Sequence, residues 1–200
     1  MEAPEVPEGP RQVGWTPWRA MASAADSLES PPHPATATVG QLSASDAIWA
    51  AALVYHLNAG VEMSELAMDR ATAEELRQFA AASKSTQEDD LARLRQIVDT
   101  AGVTATAPEP RIEQMNRVHV ETLRSLTGTA FDRHWVTVAS GHHMSAAMLT
   151  AVAMAGSGSD GGRALQAAVQ AGHLRALGRL HQLTGSIPDS AVGGGHDIDG

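Results

Sequence analysis

From Ser43 onward, apolar positions recur at helical spacing. Trp49, Leu53, His56, Gly60, Met63 and Ala67 alternate in steps of four and three, which lines one face of a helix running to about Arg70. Ser43 or Ser45 is suited to cap its start. Thr72-Ala73-Glu74-Glu75 has the form of a capping box and opens a second helix. Its inward positions are Leu76, Phe79, Ser83, Gln87, Leu91, Leu94 and Val98, and Gly102 with Pro108 and Pro110 ends it. A short amphipathic stretch from Arg111 to Leu126 carries Ile112, Met115, Val120, Leu123 and Leu126, and Gly128 breaks it. A fourth helix is expected from about Thr129 to Met154. After the loop GSGSDGG, a fifth runs from about Arg163 to Leu183.

The pattern repeats. Shifted by 86 residues, 45–97 aligns with 131–183 without a gap, and 12 of the 53 positions are identical. The matches include Asp46 with Asp132, Trp49 with Trp135, His56 with His142, and Arg77 with Arg163. Each unit is helix, short turn, helix, and a short turn forces an antiparallel pair. Two such hairpins bury their apolar faces only against each other. The expected fold is therefore all-α: a four-helix bundle over 41–185, with the 111–126 helix in the connection between hairpins. Residues 1–40 hold seven of the ten prolines and no sustained period, which reads as a disordered or loosely docked arm. Residues 186–200 are Gly-rich and read as a flexible tail.

Polar residues interrupt the apolar stripes at one level. With the first turn centred near 71–72, His56 stands level with Gln87. With the second centred near 157–158, His142 stands level with His173. Three histidines and a glutamine are thus expected to converge in the core. A buried imidazole without a partner costs on the order of 1–3 kcal/mol, so the four must satisfy one another, hold water or hold an ion. Ala59, Gly60, Ser145 and Ala146 leave room beside them. His143 is placed on the flank, and Met63, Met144 and Met148 are soft donors on the same helices. His with Met suits copper better than magnesium or calcium. His119 and His181 have no special context and are placed on the surface.

Composition narrows the alternatives. Apolar residues make up 43% of the chain and aromatics 4%, with Ala dominant, which favours helices over strands. A net charge of −9 leaves no basic stripe for nucleic acid or for an anionic membrane surface. No apolar run is long enough to span a bilayer. With no cysteine there is no disulfide, zinc ribbon, iron–sulfur cluster or thiol nucleophile. The first residues carry no secretory signal, so the chain as written reads as cytoplasmic, or as exported if a signal was trimmed upstream. A di-iron site needs paired Glu and Glu-x-x-His. The helices contain no Glu-x-x-His, and Glu62 and Glu65 correspond to Met148 and Ala151. No catalytic triad and no phosphate loop is legible, so the chain is expected not to be an enzyme and to take no organic cofactor. Trp15 and Trp18 cover an exposed edge of the bundle or form a docking motif for a protein partner.

The segment FDRHWVTVASGHHMSAAM (131–148) resembles the signature of the bacterial domain of unknown function number 305. YHLNAGVEMSELAM with LRQFAAASKSTQEDDLARL in the first unit is similar to the same family, and the connection around LRSLTGTAFDRHWV is similar to the related domain number 4142. The resemblance covers 45–183. It implies a ferritin-like bundle, often exported, with copper binding or metal tolerance in some members. Carried over, it makes His142 and His143 the paired histidines. In the first unit His56 remains and Leu57 replaces its neighbour, while Gln87 keeps the family's glutamine and His173 stands in its equivalent place. The expected function is a non-enzymatic, copper-binding bundle with His56, His142, His143 and His173 as core ligands and Met63 or Met148 auxiliary. The alternative is an interaction or scaffold module whose His/Gln layer is purely structural.

Overall fold

The structure is a computed structural model, and it describes residues 42–103, 110–185 and 187. The Trp15/Trp18 arm and most of the Gly-rich tail lie outside the described residues. The described residues form five helices: α1 (Ala44–Arg70), α2 (Glu74–Ala101), α3 (Pro110–Ser125), α4 (Gly128–Ala155) and α5 (Asp160–Thr184). The fold is an all-helical bundle. α1 pairs with α2, α4 pairs with α5, and the two hairpins meet chiefly through α1 and α4. Apolar side chains form one cluster around Leu53, Leu57, Leu91 and Leu94, and a second around Met63, Leu76, Phe131, Trp135 and Leu180. The polar layer separates them along the helices.

Local signals account for most helix ends. Ser43 caps α1 in a full capping box with Asp46. Gly102 closes α2 in the left-handed region, at φ 63°. α5 starts three residues earlier than its apolar period indicates, because Ser159 caps it by accepting from the Gly162 N–H. The start of α2 departs from expectation. Ala73 is its N-cap and the Thr72 hydroxyl makes no cap within its own helix. Thr72 donates instead to Asp132, which also accepts the N–H groups of Thr72 and Ala73 at 2.9 and 3.2 Å.

That exchange is general. Asp132 begins α4 yet ties down the α1–α2 turn. Its repeat equivalent Asp46 begins α1 and ties down the α4–α5 turn, accepting from Ser157 Oγ, Ser159 Oγ and Gln166 Nε2 at 2.7, 2.7 and 3.1 Å. Burial alone would raise the Asp46 pKa. The hydroxyls of Ser43, Ser159 and Ser157 and the Ser43 N–H outweigh it and hold the carboxylate at about 2. A Cβ at Gly162 would lie 2.3 Å from the Asp46 carboxylate, so only glycine fits there. The tryptophans exchange likewise: Trp49 Nε1 donates to Thr150 of α4, and Trp135 Nε1 donates to the Met63 carbonyl of α1, at 3.3 and 2.9 Å.

α3 packs on α1. Val120 and Leu123 join Met63, Ala67 and the half-buried Leu66, while Arg70 donates to the Leu123 and Arg124 carbonyls and Arg124 pairs with Glu62. Met115, placed inward by its spacing, is exposed. α3 is a short helix that reaches both α1 and α4, and its buried side chains among the described residues, Val120 and Leu123, lie in its C-terminal half.

Candidate functional site

Four histidines do meet at mid-bundle, in pairings that differ from those expected. His56 and His142 do not face Gln87 and His173 respectively within their own hairpins. They stack on each other, with ring centroids 3.9 Å apart and planes 4° from parallel, and a His56 Nε2 to His142 carbonyl distance of 3.0 Å. Two repeat-equivalent residues in direct contact lie on the pseudo-two-fold axis itself. Gln87 reaches across to the other hairpin, its Oε1 3.2 Å from His142 Nε2. His173 pairs with His143 instead of His142, at 2.9 Å between Nδ1 atoms. His143 is therefore a central member of the layer and not a flanking one. Level-matching across one hairpin fixed the height of each group correctly, but helix rotation decided which of the adjacent residues met.

Gly60 makes the crossing possible. A Cβ there would fall 1.9 Å from Gln87 Oε1 and 2.3 Å from His142 Nε2. The backbone of α1 is notched at that point to admit both side chains.

The donors and acceptors define a direction. Gln87 Nε2 donates to the Ser83 carbonyl and to Ser83 Oγ, which leaves Oε1 to accept from a His142 Nε2–H. Ser83 Oγ, already an acceptor, has its own proton for His143 Nε2 at a long 3.4 Å. His143 then carries its proton on Nδ1 and donates to His173 Nδ1. His173 is left with Nε2–H, and that nitrogen is buried with no partner. The chain Gln87, Ser83, His143, His173 thus ends on one orphan donor.

Burial keeps these rings neutral. Desolvation, then the His56 ring, lowers His143 to about 4; desolvation, then His143 and His56, lowers His173 to about 3. His142 is driven well below the ordinary range by desolvation and its three histidine neighbours. Desolvation also lowers half-buried His56, opposed by the His142 carbonyl. Neutral imidazoles keep a lone pair free to accept a hydrogen bond or bind a metal.

The remaining sequence candidates separate. Met63 is buried in the apolar cluster beside Trp135. Met148 is 62% exposed, because its place on α4 faces away from both partner helices, so it stands outside the core where it was expected. His181 is exposed and His119 half-buried. Among the described residues, no group of three or more His, Cys, Asp or Glu side chains is arranged to hold a metal ion. The buried carboxylates Asp46 and Asp132, each hydrogen-bonded across hairpins, were visible in the sequence only as repeat identities. Nothing in spacing indicated that each serves the opposite turn.

Residues 31–182 match the family described as Domain of unknown function (DUF4142). The chain belongs to that family. Its fold is similar to that of a DUF305 protein from Streptomyces coelicolor, with a TM-score of 0.62 and 17% identity over 71% of this chain and 93% of that one. It is also similar to a DUF305 fragment from Deinococcus radiodurans, with a TM-score of 0.66 and 13% identity over 72% and 98%. No curated protein matches the chain. The two resemblances read from the sequence thus divide: the family match is to DUF4142, and the fold is shared with DUF305. No helix among the described residues is long and apolar enough to cross a membrane.

Proposed function

We propose that this DUF4142 domain is a non-enzymatic, copper-binding bundle whose ligands are His143 and His173. The observation that carries this is the pair of Nδ1 atoms 2.9 Å apart on two rings that are neutral at pH 7. His173 Nδ1 already presents its lone pair. His143 presents one once its proton moves to Nε2, where Ser83 Oγ becomes the acceptor, an outer partner of the kind that orients ligating histidines. The donor set discriminates among metals. Zinc takes four tetrahedral ligands, and calcium and magnesium take oxygens, so two imidazoles serve them poorly; copper accepts imidazole readily. Of the layer's stacked pair, His142 stands beside the ligand His143, with ring centroids 5.7 Å apart.

A second reading is favoured by the protein partners that most of the layer's nitrogens have: the layer then serves only to fix how the hairpins meet. Titrating the full chain with Cu(I) and Cu(II) by calorimetry, with elemental analysis of freshly purified protein, separates the two. The copper reading expects a 1:1 complex whose affinity falls about 100-fold in His143→Ala and in His173→Ala, as for loss of a ligand or its support, and is unchanged in His181→Ala. Absence of binding in the unaltered chain, or affinity that survives both substitutions, overturns it in favour of the structural layer.

A further inference from the structure

The exchange that ties the hairpins together has one member missing. Asp132 and Asp46 serve each other's turns, and Trp135 and Trp49 each donate into the other hairpin. α3, which leads into α4, crosses over to cover α1 along Glu62, Met63, Leu66 and Arg70. The positions 86 residues on are Met148, Leu149, Val152 and Gly156 of α4. Met63 is buried, yet Met148, Leu149 and Val152 are 62%, 36% and 74% exposed. By the same symmetry, this exposed face of α4 is the place for a segment leading into α1.

We infer that residues 1–41 dock on this apolar face of α4, with Trp15 and Trp18 as the anchoring side chains. Chain continuity selects this occupant. The arm enters α1 at Ser43, beside the α4–α5 turn: Ser45 Oγ lies 3.4 Å from the Gly156 carbonyl, and a Cβ on Gly158 would sit 3.0 Å from Ser43 Cβ. Val152 and Met148 lie one and two helical turns from Gly156, about 6 and 12 Å along α4 at the usual rise. The 23 residues between Trp18 and Leu42 can reach far beyond that at about 3.3 Å per residue. The family match begins at residue 31, ahead of α1, so residues 31–41 of the arm lie within the matched length. The arm does not copy α3. Its counterparts of Val120, Leu123 and Leu126 are Pro34, Ala37 and Gly40, which bring little apolar area. The largest apolar side chains of the arm are the two tryptophans, ahead of Met21 and Leu28, and each can bury area on the scale of a core aromatic.

The test is limited trypsin digestion of the full chain, following cleavage after Arg19, which adjoins Trp18. Met148→Glu with Val152→Glu gives α4 the acidic character that Glu62 gives α1, and circular dichroism checks that the helices remain. Cleavage should quicken about tenfold as the arm spends more time open. Trp15→Ala with Trp18→Ala leaves the face untouched and should quicken it equally, so the answer does not depend on the first variant folding. Equal cleavage rates in all three chains overturn the proposal. So does a shift from dimer to monomer on sedimentation of the Met148→Glu, Val152→Glu chain with cleavage unchanged, which assigns the face to a second copy.

Discussion

The ends of the bundle and its middle both bury polar groups, by opposite means. At the ends the groups are carboxylates, of which Asp46 is held charged. Asp46 receives hydroxyl, amide and backbone donors from three separate segments, enough to offset its burial. In the middle the groups are imidazoles that stay neutral, because burial penalises their protonated form and no carboxylate among the described residues offsets it. The same desolvation acts on both. A charged group survives it where donors surround it, and a titratable base escapes it by giving up its proton. The ends are thus rigid electrostatic fastenings. The middle is a chain of exchangeable tautomers that ends on the buried, unpartnered His173 Nε2.

The largest way to break this contrast is to remove an end carboxylate. Asp46→Ala leaves at least four donors without their acceptor and should cost about 3–4 kcal/mol in urea unfolding, with the m-value unchanged. Asp132→Ala should cost about 2 kcal/mol, because Thr72 is exposed and its donors return to water. Equal losses for the two would sink the idea that the donor set, and not the position, sets the strength of the fastening.

Next comes the notch in the middle. Gly60→Ala drives a methyl into Gln87 Oε1 and His142 Nε2, and should cost about 2–3 kcal/mol by the same unfolding measurement. Adding Gln87→Ala should return about 1 kcal/mol of that, since the two substitutions act on one contact. Strict additivity would mean that Gly60 matters for some other reason.

Acid should then resolve the two regions in sequence. Histidine in the unfolded chain protonates near 6.5, but His143 and His173 in the folded chain only at about 4 and about 3. Between those values the unfolded chain holds more protons. The histidines' contribution is therefore complete above 6.5 and is lost as pH falls through the folded values, by up to about 1.4 kcal/mol per pH unit for each ring. Asp46 follows later: its contribution is present above the unfolded 3.8 and is lost as pH falls to about 2. Thermal melts from pH 7 to pH 2 should show two stages, and His143→Ala with His173→Ala should flatten the first alone. A single acid transition centred below pH 4 in the unaltered chain would contradict the neutral layer.

The smallest effect concerns the tryptophans. Thr150→Val removes the acceptor of Trp49 Nε1 and should lower stability by about 1–2 kcal/mol. Trp135 donates to a backbone carbonyl, which no side-chain change at Met63 removes, so Met63→Leu should leave that hydrogen bond intact. Indole N–H exchange measured by NMR distinguishes the two sites.

Much of the fold was legible because it depends on period. The apolar stripe of α1, the glycine that closes α2 and the 86-residue repeat are one-dimensional signals, and each has its structural counterpart. The level of the histidines was legible for the same reason, since hairpin turns set height. Their partners were not. Whether Gln87 meets His56 or His142 depends on a rotation of helices that spacing does not encode, and Gly60 decides it by leaving a gap in one backbone. Thr72 shows the same gap: its sequence reads as a capping box, but the Asp132 carboxylate, 60 residues away, takes the hydroxyl.

The crossed fastenings have a consequence for what half of this molecule is. Asp46, Trp49 and His56 make their decisive contacts outside their own hairpin, and Asp132, Trp135 and His142 do the same in return. A lone hairpin of this kind presents a self-complementary surface, in which each group awaits its counterpart on an identical neighbour. That is the form of an isologous interface between the subunits of a two-fold homodimer. The chain carries, in covalent form, the contact scheme of such a dimer, with α3 as the tether that sets the concentration of one half around the other.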